Sequence, residues 1–409
     1  MTTMNYDHTY DPATFDPAQI AALDDPYPVF GALHTAGASL QTASGIHCVI
    51  GYAAADEVLR DPRFRSGPIA ERFRQLLPPG AARDEMSHRI NFLDPPDHPR
   101  VRNLVSHTFT PGRVRDLRPF VERRANELID AVNLESSDAT VDVRACFAHP
   151  LPSLVISEML GVPIADRAQL TDWSEAVTPL LGVRLPEAGL ERALDASARF
   201  AAYASALLDE RRRQPGDDLL TAMVHVEDGH ERLSREEVLS LVVTLYSAGH
   251  RTTRDLFTNG LFHLLQHPEQ YAALVDDPSL IPGALDEFLR FETPTLYVAR
   301  IPVVDVEIAG VPVPAFTPTL VILAATNRDP ARFSDPDTFN IRRQEGAALS
   351  FATGPHHCLG ASLARMEGEV MLETITRRWP RLSLAEPRPK WWSSGPFRGL
   401  DQLRVRLRA

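Results

Sequence analysis

The amino-acid sequence predicts a mainly α-helical chain with a small β portion. Most stretches place apolar residues three or four positions apart between short, proline-marked joints, the pattern of amphipathic helices. Three regions differ and predict β-rich parts near residues 35–51, 300–325 and 382–409. Within them, residues 45–51 form a short apolar run, and residues 303–323 alternate in polarity and contain Gly and Pro turns.

The composition excludes several classes of function. The 409 residues include 54 acidic and 42 basic side chains, a formal net charge of −12, which argues against nucleic acid as a main partner. No apolar run approaches the ~20 residues of a membrane-spanning helix. Residues 1–30 lack the apolar stretch of a signal peptide. We therefore expect a soluble, cytoplasmic protein.

The sequence offers no obvious domain boundary. No Gly/Ser-rich linker, low-complexity block or internal repeat divides it, so we expect residues 1–409 to form one domain. The cysteines, Cys48, Cys146 and Cys358, are far apart and lack CxxC spacing, which argues against a disulfide scaffold or a zinc site. A functional cysteine would therefore act alone.

Three helices can be placed from their patterns. Residues 113–131 put apolar side chains on one face, and residues 195–213 end in a basic run before a Pro–Gly stop. Ser234 and Glu237 form a capping-box pattern at the start of a helix that continues to His267. At ~1.5 Å per residue this long helix spans roughly 45–50 Å, enough to cross a domain.

The centre of the long helix is unusual. Residues 247–253 (SAGHRTT) are small and polar, and Gly249 costs about 1 kcal/mol relative to alanine inside a helix. One interpretation is a kink or a tight helix crossing. The other is a groove that lets a flat ligand lie against the backbone, with hydroxyl groups facing it.

A second candidate site surrounds Cys358. Residues 351–360 (FATGPHHCLG) precede a helical pattern, so Cys358 lies before a helix N-terminus, where the macrodipole and free N–H groups favour a thiolate. Gly354 and Gly360 permit unusual φ values and close approach of a bulky partner. The cysteine could be a small buried hydrophobe, a nucleophile paired with an adjacent histidine, or a thiolate ligand to haem iron.

The spacing Phe-x-x-Gly-x-His-x-Cys-x-Gly resembles the haem-binding loop of the cytochrome P450 family, and the resemblance extends over nearly the whole chain. It implies the cytochrome P450 fold, with haem b between the long central helix and the cysteine loop. Cys358 would then be the iron ligand, whose thiolate favours O–O cleavage of dioxygen. The same resemblance makes Ala248, Phe351 and Gly360 haem contacts.

Two further residue sets are similar to those of this family. Glu287-x-x-Arg290, together with Arg343, matches its Glu–Arg–Arg cluster, which implies a buried structural role. A second set falls at the positions that hold the two haem propionates. Its members are His98, Arg102, Arg300 and His356.

The sequence departs from the family at the centre of the long helix. In the family pattern Ala-Gly-x-(Asp/Glu)-Thr, the threonine helps to protonate the distal oxygen and the acid relays protons. Here Thr252 is retained but Arg251 replaces the acid, and arginine cannot give up a proton near neutral pH. We expect proton delivery through Thr252, His250, ordered water or substrate groups, with Arg251 pointing outward in a salt bridge. A second interpretation of His250 is an ordinary solvent-facing side chain.

Two smaller departures concern turns. Ala352 occupies a usual glycine position beside the cysteine loop, where it predicts a modest change in volume. Phe316 replaces the glycine of the family's Pro-Ala-Gly turn and leaves the geometry of that turn open.

Substrate contacts are predicted by analogy of position alone. Arg72 and Arg74 lie in a loop that lines the pocket in the family, where they would either bind a polar substrate or be solvated. The predicted substrate contacts are Thr244, Ser247, Ala248, Thr295, Leu296 and Phe397.

The resemblance implies a monooxygenase that uses O2 and two externally supplied electrons to hydroxylate or otherwise oxidise a mid-sized, natural-product-like small molecule. We expect the electrons to come from a ferredoxin and an NAD(P)H-dependent ferredoxin reductase, with docking near Arg113, Arg115 and Arg365. An alternative is oxidative ring closure, which forms an intramolecular C–C or C–N bond without net oxygen insertion. A remote alternative is a non-catalytic haem sensor.

Overall fold

The computed structural model describes residues 14–17, 19–20, 23–106, 109–132, 140–185, 188–228 and 231–407. Its α-helices are α1 (Tyr27–Ala36), α2 (Tyr52–Arg60), α3 (Gly67–Leu76), α4 (Ala81–His88), α5 (Asp97–Ser106), α6 (Pro111–Asp130), α7 (Pro150–Leu160), α8 (Arg167–Val177), α9 (Leu190–Arg213), α10 (Leu219–His225), α11 (Arg235–Leu265), α12 (Pro268–Asp276), α13 (Ile281–Phe291), α14 (Leu323–Thr326) and α15 (Ala361–Arg378).

The strands are short and confirm the mainly α architecture with a small β portion. They are β1 (Ser39–Gln41), β2 (His47–Val49), β3 (Phe64–Arg65), β4 (Thr140–Asp142), β5 (Glu227–Asp228), β6 (Glu231–Arg232), β7 (Val298–Pro302), β8 (Val306–Ile308), β9 (Val311–Val313), β10 (Thr319–Val321), β11 (Leu382–Leu384), β12 (Trp391–Ser394), β13 (Phe397–Leu400) and β14 (Arg404–Leu407).

The long helix α11 begins where its sequence predicts. The Ser234 hydroxyl accepts from the Glu237 N–H at 3.2 Å, and the Ser234 N–H donates to Glu237 Oε2 at 2.8 Å, so both halves of the capping box form. The helix continues without interruption to Leu265. Most of its residues are buried, because α4, α7, α9, α13 and α15 pack around it. It is therefore the central element of the largest hydrophobic core.

The main sheet brings distant parts of the chain together. Its five strands lie in the order β1-β2-β10-β7-β3, with β2 and β10 parallel and the remaining pairs antiparallel. In this register Leu320 of β10 lies beside Cys48, and Thr319 lies opposite Arg300 of β7. The sheet thus fixes the position of Arg300, one of the predicted site residues.

The C-terminal segment forms two smaller sheets. Strands β11, β14 and β4 pair in that order, and β12 and β13 form a hairpin. A single bridge pairs Thr295 with Phe397 at the start of β13. The hairpin therefore lies next to the segment that follows α13.

Two glycines of α11 allow close helix crossings. A Cβ at Gly249 would lie 3.0 Å from two side-chain carbons of Ile156 in α7. A Cβ at Gly260 would lie 1.9 Å from the Phe288 ring of α13. Gly249 therefore permits a tight helix crossing on one side of α11, and the helix is not interrupted there. Across the described ranges no helix is both long and apolar enough to cross a membrane.

Candidate active site

The cysteine loop is held by its own backbone and by α2. Cys358 donates its N–H to the Phe351 carbonyl at 2.9 Å, which closes the loop before α15 begins at Ala361. Gly354 has φ +71°, and a Cβ there would lie 2.4 Å from the Leu59 carbonyl oxygen. Because only glycine avoids both the strained φ and this clash, the loop conformation depends on Gly354.

Cys358 is accessible at the end of this loop. Desolvation by the surrounding protein raises the pKa of its thiol, whereas the Gly360 N–H and the Arg102 guanidinium lower it. A bound metal ion would shift this balance decisively toward the thiolate. Gly360 has an ordinary φ of −88° and open space around a Cβ position, so the polypeptide itself does not require glycine there. Glycine at this position leaves room for a flat group against the sulfur.

The four predicted propionate ligands lie together beside the cysteine loop. The rings of His98 and His356 are 4.0 Å apart between centroids, and Arg102 donates to the His357 carbonyl at 2.6 Å. Burial and the neighbouring guanidinium groups lower the pKa of His98 to about 4 and that of His356 to about 2, so both imidazoles are neutral. Arg300 is 6% exposed, and its hydrogen bond is to the Ala299 carbonyl.

Among the described residues, no carboxylate is hydrogen-bonded or ion-paired to this cluster. His98 Nε2 is buried without a hydrogen-bond partner. Asp94 acts on the cluster electrostatically, but its carboxylate accepts from the Ser66 and Gly67 N–H groups at 2.9 and 2.8 Å. Two guanidinium groups and two imidazoles without a carboxylate partner fit the two propionates of haem.

The accessible face of α11 presents the remaining predicted haem-side residues. Ala248 is exposed and Thr252 is half-buried, one turn apart on the same face. The Thr252 hydroxyl donates to the Ala248 carbonyl at 2.8 Å. A small side chain and a reorientable hydroxyl therefore form this surface, as a ligand lying against the helix requires.

His250 differs from both interpretations of its sequence position. It is fully buried, so the solvent-facing interpretation is wrong, and its Nδ1 lies 2.7 Å from the Tyr246 carbonyl. Side chains two positions apart on an α-helix point about 200° apart, so His250 lies on the face opposite Ala248. Burial lowers its pKa to about 3. A proton relay through the His250 side chain therefore loses its geometric support.

Arg251 forms the predicted salt bridge, but it differs from the prediction in its direction. It was expected to point outward, but its side chain is 2% exposed, and its Nη2 lies 2.7 Å from Glu175 Oε2 on α8. Its guanidinium lies 5.4 Å from the ring centre of Trp392. The same Glu175 also pairs with Arg254, so Arg251 belongs to a buried charge cluster rather than to the surface.

A cavity on this side of α11 brings most of the predicted substrate contacts together. Thr244, Ser247, Ala248 and Phe397 all line it. Thr295 does not line it and is linked to it only indirectly, by a backbone bridge to Phe397, so its prediction as a substrate contact is not confirmed. The other lining residues, which the sequence analysis did not single out for this role, are Arg89, Asn91, Ser174, Val177, Thr178, Leu181 and Arg251.

Leu296 does not line this cavity. It is fully buried in a separate hydrophobic cluster that includes Tyr27 and Ile322, so its prediction as a substrate contact is corrected. Arg72 and Arg74 are exposed, and they bond the Val183 carbonyl and Glu71. Besides Arg251, the arginine that lines the cavity is Arg89. Its signal in the sequence is the i,i+4 spacing from Glu85, whose Oε1 accepts from Arg89 Nε at 2.6 Å.

The Glu–Arg–Arg cluster that the family resemblance implies does form. Arg290 donates through Nε and Nη2 to the two carboxylate oxygens of Glu287, each at 2.7 Å, and both side chains are buried. Arg343 Nε lies 3.3 Å from Glu287 Oε2. Arg290 also donates to carbonyls of residues 327, 336 and 338, so the cluster ties α13 to the segment before the cysteine loop.

A cysteine loop before a helix, a cationic cluster for two carboxylates and an accessible helix face define a haem-thiolate protein. The comparisons agree. The family model for cytochrome P450 matches residues 43–388. The chain is 39% identical over 393 residues to the cytochrome P450 monooxygenase PikC of Streptomyces venezuelae, covering 94% of this chain and 91% of that protein.

Two further relatives extend this comparison. The 6-deoxyerythronolide B hydroxylase of Saccharopolyspora erythraea is 38% identical over 369 residues, 88% of this chain and 89% of that one. The solved structure of CxnD, a cytochrome P450 enzyme for C–S bond formation in chuangxinmycin biosynthesis, superposes with a TM-score of 0.85 at 32% identity, covering 94% of each chain. The chain belongs to the cytochrome P450 family, and its cofactor is haem b bound through a cysteine thiolate.

Proposed function

We propose that this protein is a haem-thiolate monooxygenase that inserts one oxygen atom into a mid-sized, natural-product-like small molecule. One atom of O2 enters a C–H bond of the substrate, and the other leaves as water with two protons and two electrons. Relatives named as monooxygenase and hydroxylase support this reaction class. The observation that carries the proposal is the accessible Cys358 beside the cluster of His98, Arg102, Arg300 and His356, to which no described carboxylate is hydrogen-bonded.

The residues of the chain have separate roles in this proposal. Haem, when bound, supplies the activation of O2 and the oxidation of the substrate. Cys358 binds its iron, and Arg102 and Arg300 pair with its propionates, assisted by the two histidines. The small side chain of Ala248 leaves room for the cofactor on the α11 side. Phe351 and Gly360 form the surface on the side of the cysteine loop. The Thr252 hydroxyl orients water and holds the proton nearest to the reacting oxygen.

The electrons come from a separate donor in this proposal. We assign that role to a ferredoxin and an NAD(P)H-dependent ferredoxin reductase. Arg113 and Arg115 are exposed on α6, which packs against α15 beside the cysteine loop. Arg365 pairs with Asp286 at 2.5 Å and lies 5.5 Å from the Phe351 ring centre. A basic surface on this side favours a weak, salt-sensitive encounter with an acidic donor.

A second candidate reaction is oxidative ring closure. The relative CxnD forms a C–S bond, so a closely similar fold supports bond formation as well as oxygen insertion. In this reaction the substrate loses two hydrogens while O2 is reduced to two waters, which requires two further electrons from the donor and two protons from solvent. The product mass separates the two reactions, because hydroxylation adds one oxygen and ring closure removes two hydrogens.

The proposal is tested by the optical spectrum of the reduced carbon monoxide adduct. We expect the purified holoprotein to show its Soret maximum at the wavelength for which the family is named. Cys358→Ser should lose this maximum, whereas Cys146→Ser, at a half-buried cysteine outside the loop, should retain it. If the parent protein folds, takes up haem and lacks this maximum, or if Cys358→Ser retains it, the proposal is wrong.

A further inference from the structure

Glu85 on α4 is a buried carboxylate with one oxygen unused. It is 8% exposed, and its Oε1 accepts from Arg89 Nε at 2.6 Å and from the Thr244 hydroxyl at 3.4 Å. Among the described residues, its Oε2 is buried without a hydrogen-bond partner. A buried carboxylate oxygen is unfavourable unless a donor such as water reaches it. The carboxylate can therefore take up a further proton donor while it stays bound to Thr244.

Two hydrogen bonds fix this carboxylate against α11. The Ser240 hydroxyl donates to the Glu85 carbonyl at 3.0 Å, one turn before the bond from Thr244 to the carboxylate. Asp84, the preceding residue of α4, is exposed. The helix α4 therefore holds the Glu85 carboxylate between the protein surface and α11.

Glu175 also pairs with a side chain of the cavity wall, but through a group that cannot relay protons. Its carboxylate is ion-paired with Arg251 at 2.7 Å and hydrogen-bonded to Arg254 at 2.9 Å. A guanidinium does not give up a proton near neutral pH, whereas a hydroxyl both donates and accepts. Glu85, which is bonded to a hydroxyl, is therefore better placed than Glu175 to pass protons toward the accessible face of α11.

The cavity along α11 has room for a short chain of water molecules. Its volume of about 50 Å³ is too small for a mid-sized substrate, but one water needs only about 10–15 Å³, so about three waters fit. Thr244, Ser247 and Ala248 line it. Thr252 lies two turns beyond Thr244 on the same side of the helix, at a distance of ~12 Å along the axis. Three waters between these two hydroxyls span roughly 11 Å at ~2.8 Å per hydrogen bond, which matches this distance.

We propose that Glu85 supplies protons to Thr252 through Thr244 and water, in place of the acid that the family has at position 251. A proton from solvent binds the carboxylate, whose O–H then donates to the Thr244 oxygen. The hydroxyl proton of Thr244 passes to the first water, so one O–H bond forms for each that breaks, and the carboxylate is regenerated. Glu85 thus acts through other groups rather than on the reacting atoms. This inference rests on the proposed oxidation and names the source of its protons.

The test follows proton uptake in the haem-loaded protein and needs no organic substrate. The oxygen adduct of the reduced protein receives one electron by irradiation at liquid-nitrogen temperature, and EPR during stepwise warming separates the unprotonated from the protonated adduct. At the temperature where the parent protein converts, Glu85→Gln should convert at least ~10-fold more slowly, because a positioned acid contributes roughly 100-fold or more to its step. Glu85→Asp should recover part of the rate.

A second reaction separates proton supply from a structural defect. Hydrogen peroxide brings its own protons to the haem, so peroxide-driven oxidation of guaiacol by Glu85→Gln should proceed at the rate of the parent protein. Asp84→Asn removes one negative charge from an exposed position of the same helix and is the matched control. It should equal the parent protein in both measurements.

Thr244 provides an independent test, because Glu85→Gln leaves Arg89 buried without its carboxylate and can prevent folding. Thr244→Val keeps this ion pair and removes the hydroxyl, so it should also slow proton uptake at least ~10-fold. Thr244→Ser keeps the hydroxyl and should retain most of the parent rate.

The opposite outcomes overturn the inference. Proton uptake at the parent rate in Thr244→Val would refute it, and so would slow uptake in Glu175→Gln combined with the parent rate in Glu85→Gln. An equal loss of guaiacol oxidation in Glu85→Gln would show that the residue is merely structural. In all these cases the carbon monoxide spectrum of the parent protein stays intact, and the proposed function stands. Loss of that spectrum in the parent protein would instead show that the proposed function has failed.

Discussion

Thr252 is the residue whose role in proton transfer can be separated from cofactor binding. Its hydroxyl bonds the Ala248 carbonyl and lies on the accessible face of α11, whereas the Thr253 hydroxyl is 3.4 Å from the Gly249 carbonyl on a buried face. Since His250 is buried on the other side and Arg251 cannot release a proton, we assign proton transfer to the Thr252 hydroxyl, one turn from Ala248.

We therefore predict that Thr252→Ala diverts electrons from product to hydrogen peroxide. The ratio of peroxide to product should rise at least about tenfold, because a positioned proton donor contributes roughly 100- to 10,000-fold to its step. The measurement is peroxide and product per NAD(P)H consumed, with Thr253→Ala as the control. An unchanged ratio in Thr252→Ala would mean that protons reach the reacting oxygen without this hydroxyl.

Glu367 is a buried carboxyl that serves no ion pair among the described residues. It is 1% exposed on α15, its Oε2 has no hydrogen-bond partner, and burial raises its pKa well above the ordinary range. The sequence gives no warning of this, because a lone glutamate in a helix usually faces solvent. The folded state therefore favours the protonated form.

We predict that Glu367→Met stabilises the protein increasingly as pH rises. The pKa of Glu367 in the folded protein lies above its unfolded value of ~4.3. The contribution of this group to stability is therefore complete below pH ~4.3 and is lost as the pH rises toward the folded pKa. The thermal midpoint of the variant should exceed that of the parent protein by a margin that grows from mildly acidic to alkaline pH. Glu191→Gln, at an exposed position on α9, is the control. A margin that does not depend on pH would contradict the prediction.

The two unusual turn residues have a backbone cost rather than a packing cost. Ala352 has φ +54° and Phe316 has φ +63°, and Phe316 is 66% exposed. The sequence analysis predicted a change in volume at Ala352, but the structure shows a left-handed conformation that glycine adopts more readily. The same finding settles the turn at Phe316, which keeps the glycine-like geometry.

We predict that Ala352→Gly and Phe316→Gly each stabilise the fold by about 0.5–1 kcal/mol. Each change removes the strain of a left-handed conformation, and the greater entropy of glycine in the unfolded chain offsets part of that gain. The reverse change provides the control, because Gly310 has φ +83° and open space around a Cβ. Gly310→Ala should therefore destabilise by a similar amount. Thermal midpoints of the three variants measure this, and a loss of stability in both glycine variants would refute it.

At the scale of elements, the long helix α11 has two glycines at helix crossings, and the crossing with α13 at Gly260 is tighter than the crossing with α7 at Gly249. A Cβ at Gly260 would lie 1.9 Å from Phe288 Cδ2, far closer than van der Waals contact allows. A Cβ at Gly249 would lie 3.0 Å from Cδ1 and Cγ1 of Ile156, which belong to a flexible side chain. Phe288 is fully buried and cannot move aside without repacking its cluster.

We predict that Gly260→Ala destabilises the protein by ~1–3 kcal/mol or more and lowers haem retention, because α11 must shift against α13. Gly249→Ala should cost less. Adding Phe288→Leu to Gly260→Ala should recover part of the loss, since the smaller side chain leaves room for the methyl group. Thermal unfolding and haem content measure both effects. Equal costs at the two glycines would show that the crossing adapts without strain.

Sequence patterns predicted those elements whose formation depends on residues close together in the chain. The capping box at Ser234 predicted where α11 begins, and the spacing around Cys358 predicted its loop. The orientation of Arg251 could not be predicted in this way. Its partner Glu175 is on α8, and helix packing decides which side of α11 is buried. The parallel pairing of β2 with β10 depends on a similarly long-range contact.

At the scale of the whole molecule, one buried network joins both ends of the described chain. Glu292, after α13, accepts from Arg398 Nε at 3.2 Å and from the Tyr27 hydroxyl at 3.1 Å. Arg398 on β13 also donates to the carbonyls of Leu23 and Asp24. The network thus holds the segment before α1 and the C-terminal hairpin against the centre of the fold. Burial opposes the charge on Glu292, but Arg398 and His263 hold its pKa at about 2.

We predict that Arg398→Met destabilises the protein by ~3–5 kcal/mol at neutral pH, because it leaves the Glu292 carboxylate buried without its main cation. In the parent protein the depressed pKa gives a contribution that is complete above the unfolded value of ~4.3 and is lost as pH falls through about 2. In the variant Glu292 protonates at higher pH, so the difference in stability between variant and parent should narrow on acidification.

Two comparisons decide whether the loss comes from this network. Glu292→Gln in the Arg398→Met background should recover much of the stability, because it removes the unpaired charge. Arg404→Met, at the start of β14, breaks an exposed pair with Glu386, which follows β11, and should cost no more than ~1 kcal/mol. If residues 1–409 form one domain, as we expect, Arg398→Met should lower a single cooperative unfolding transition. A separate early transition in that variant would show instead that the chain ends unfold independently of the core around α11.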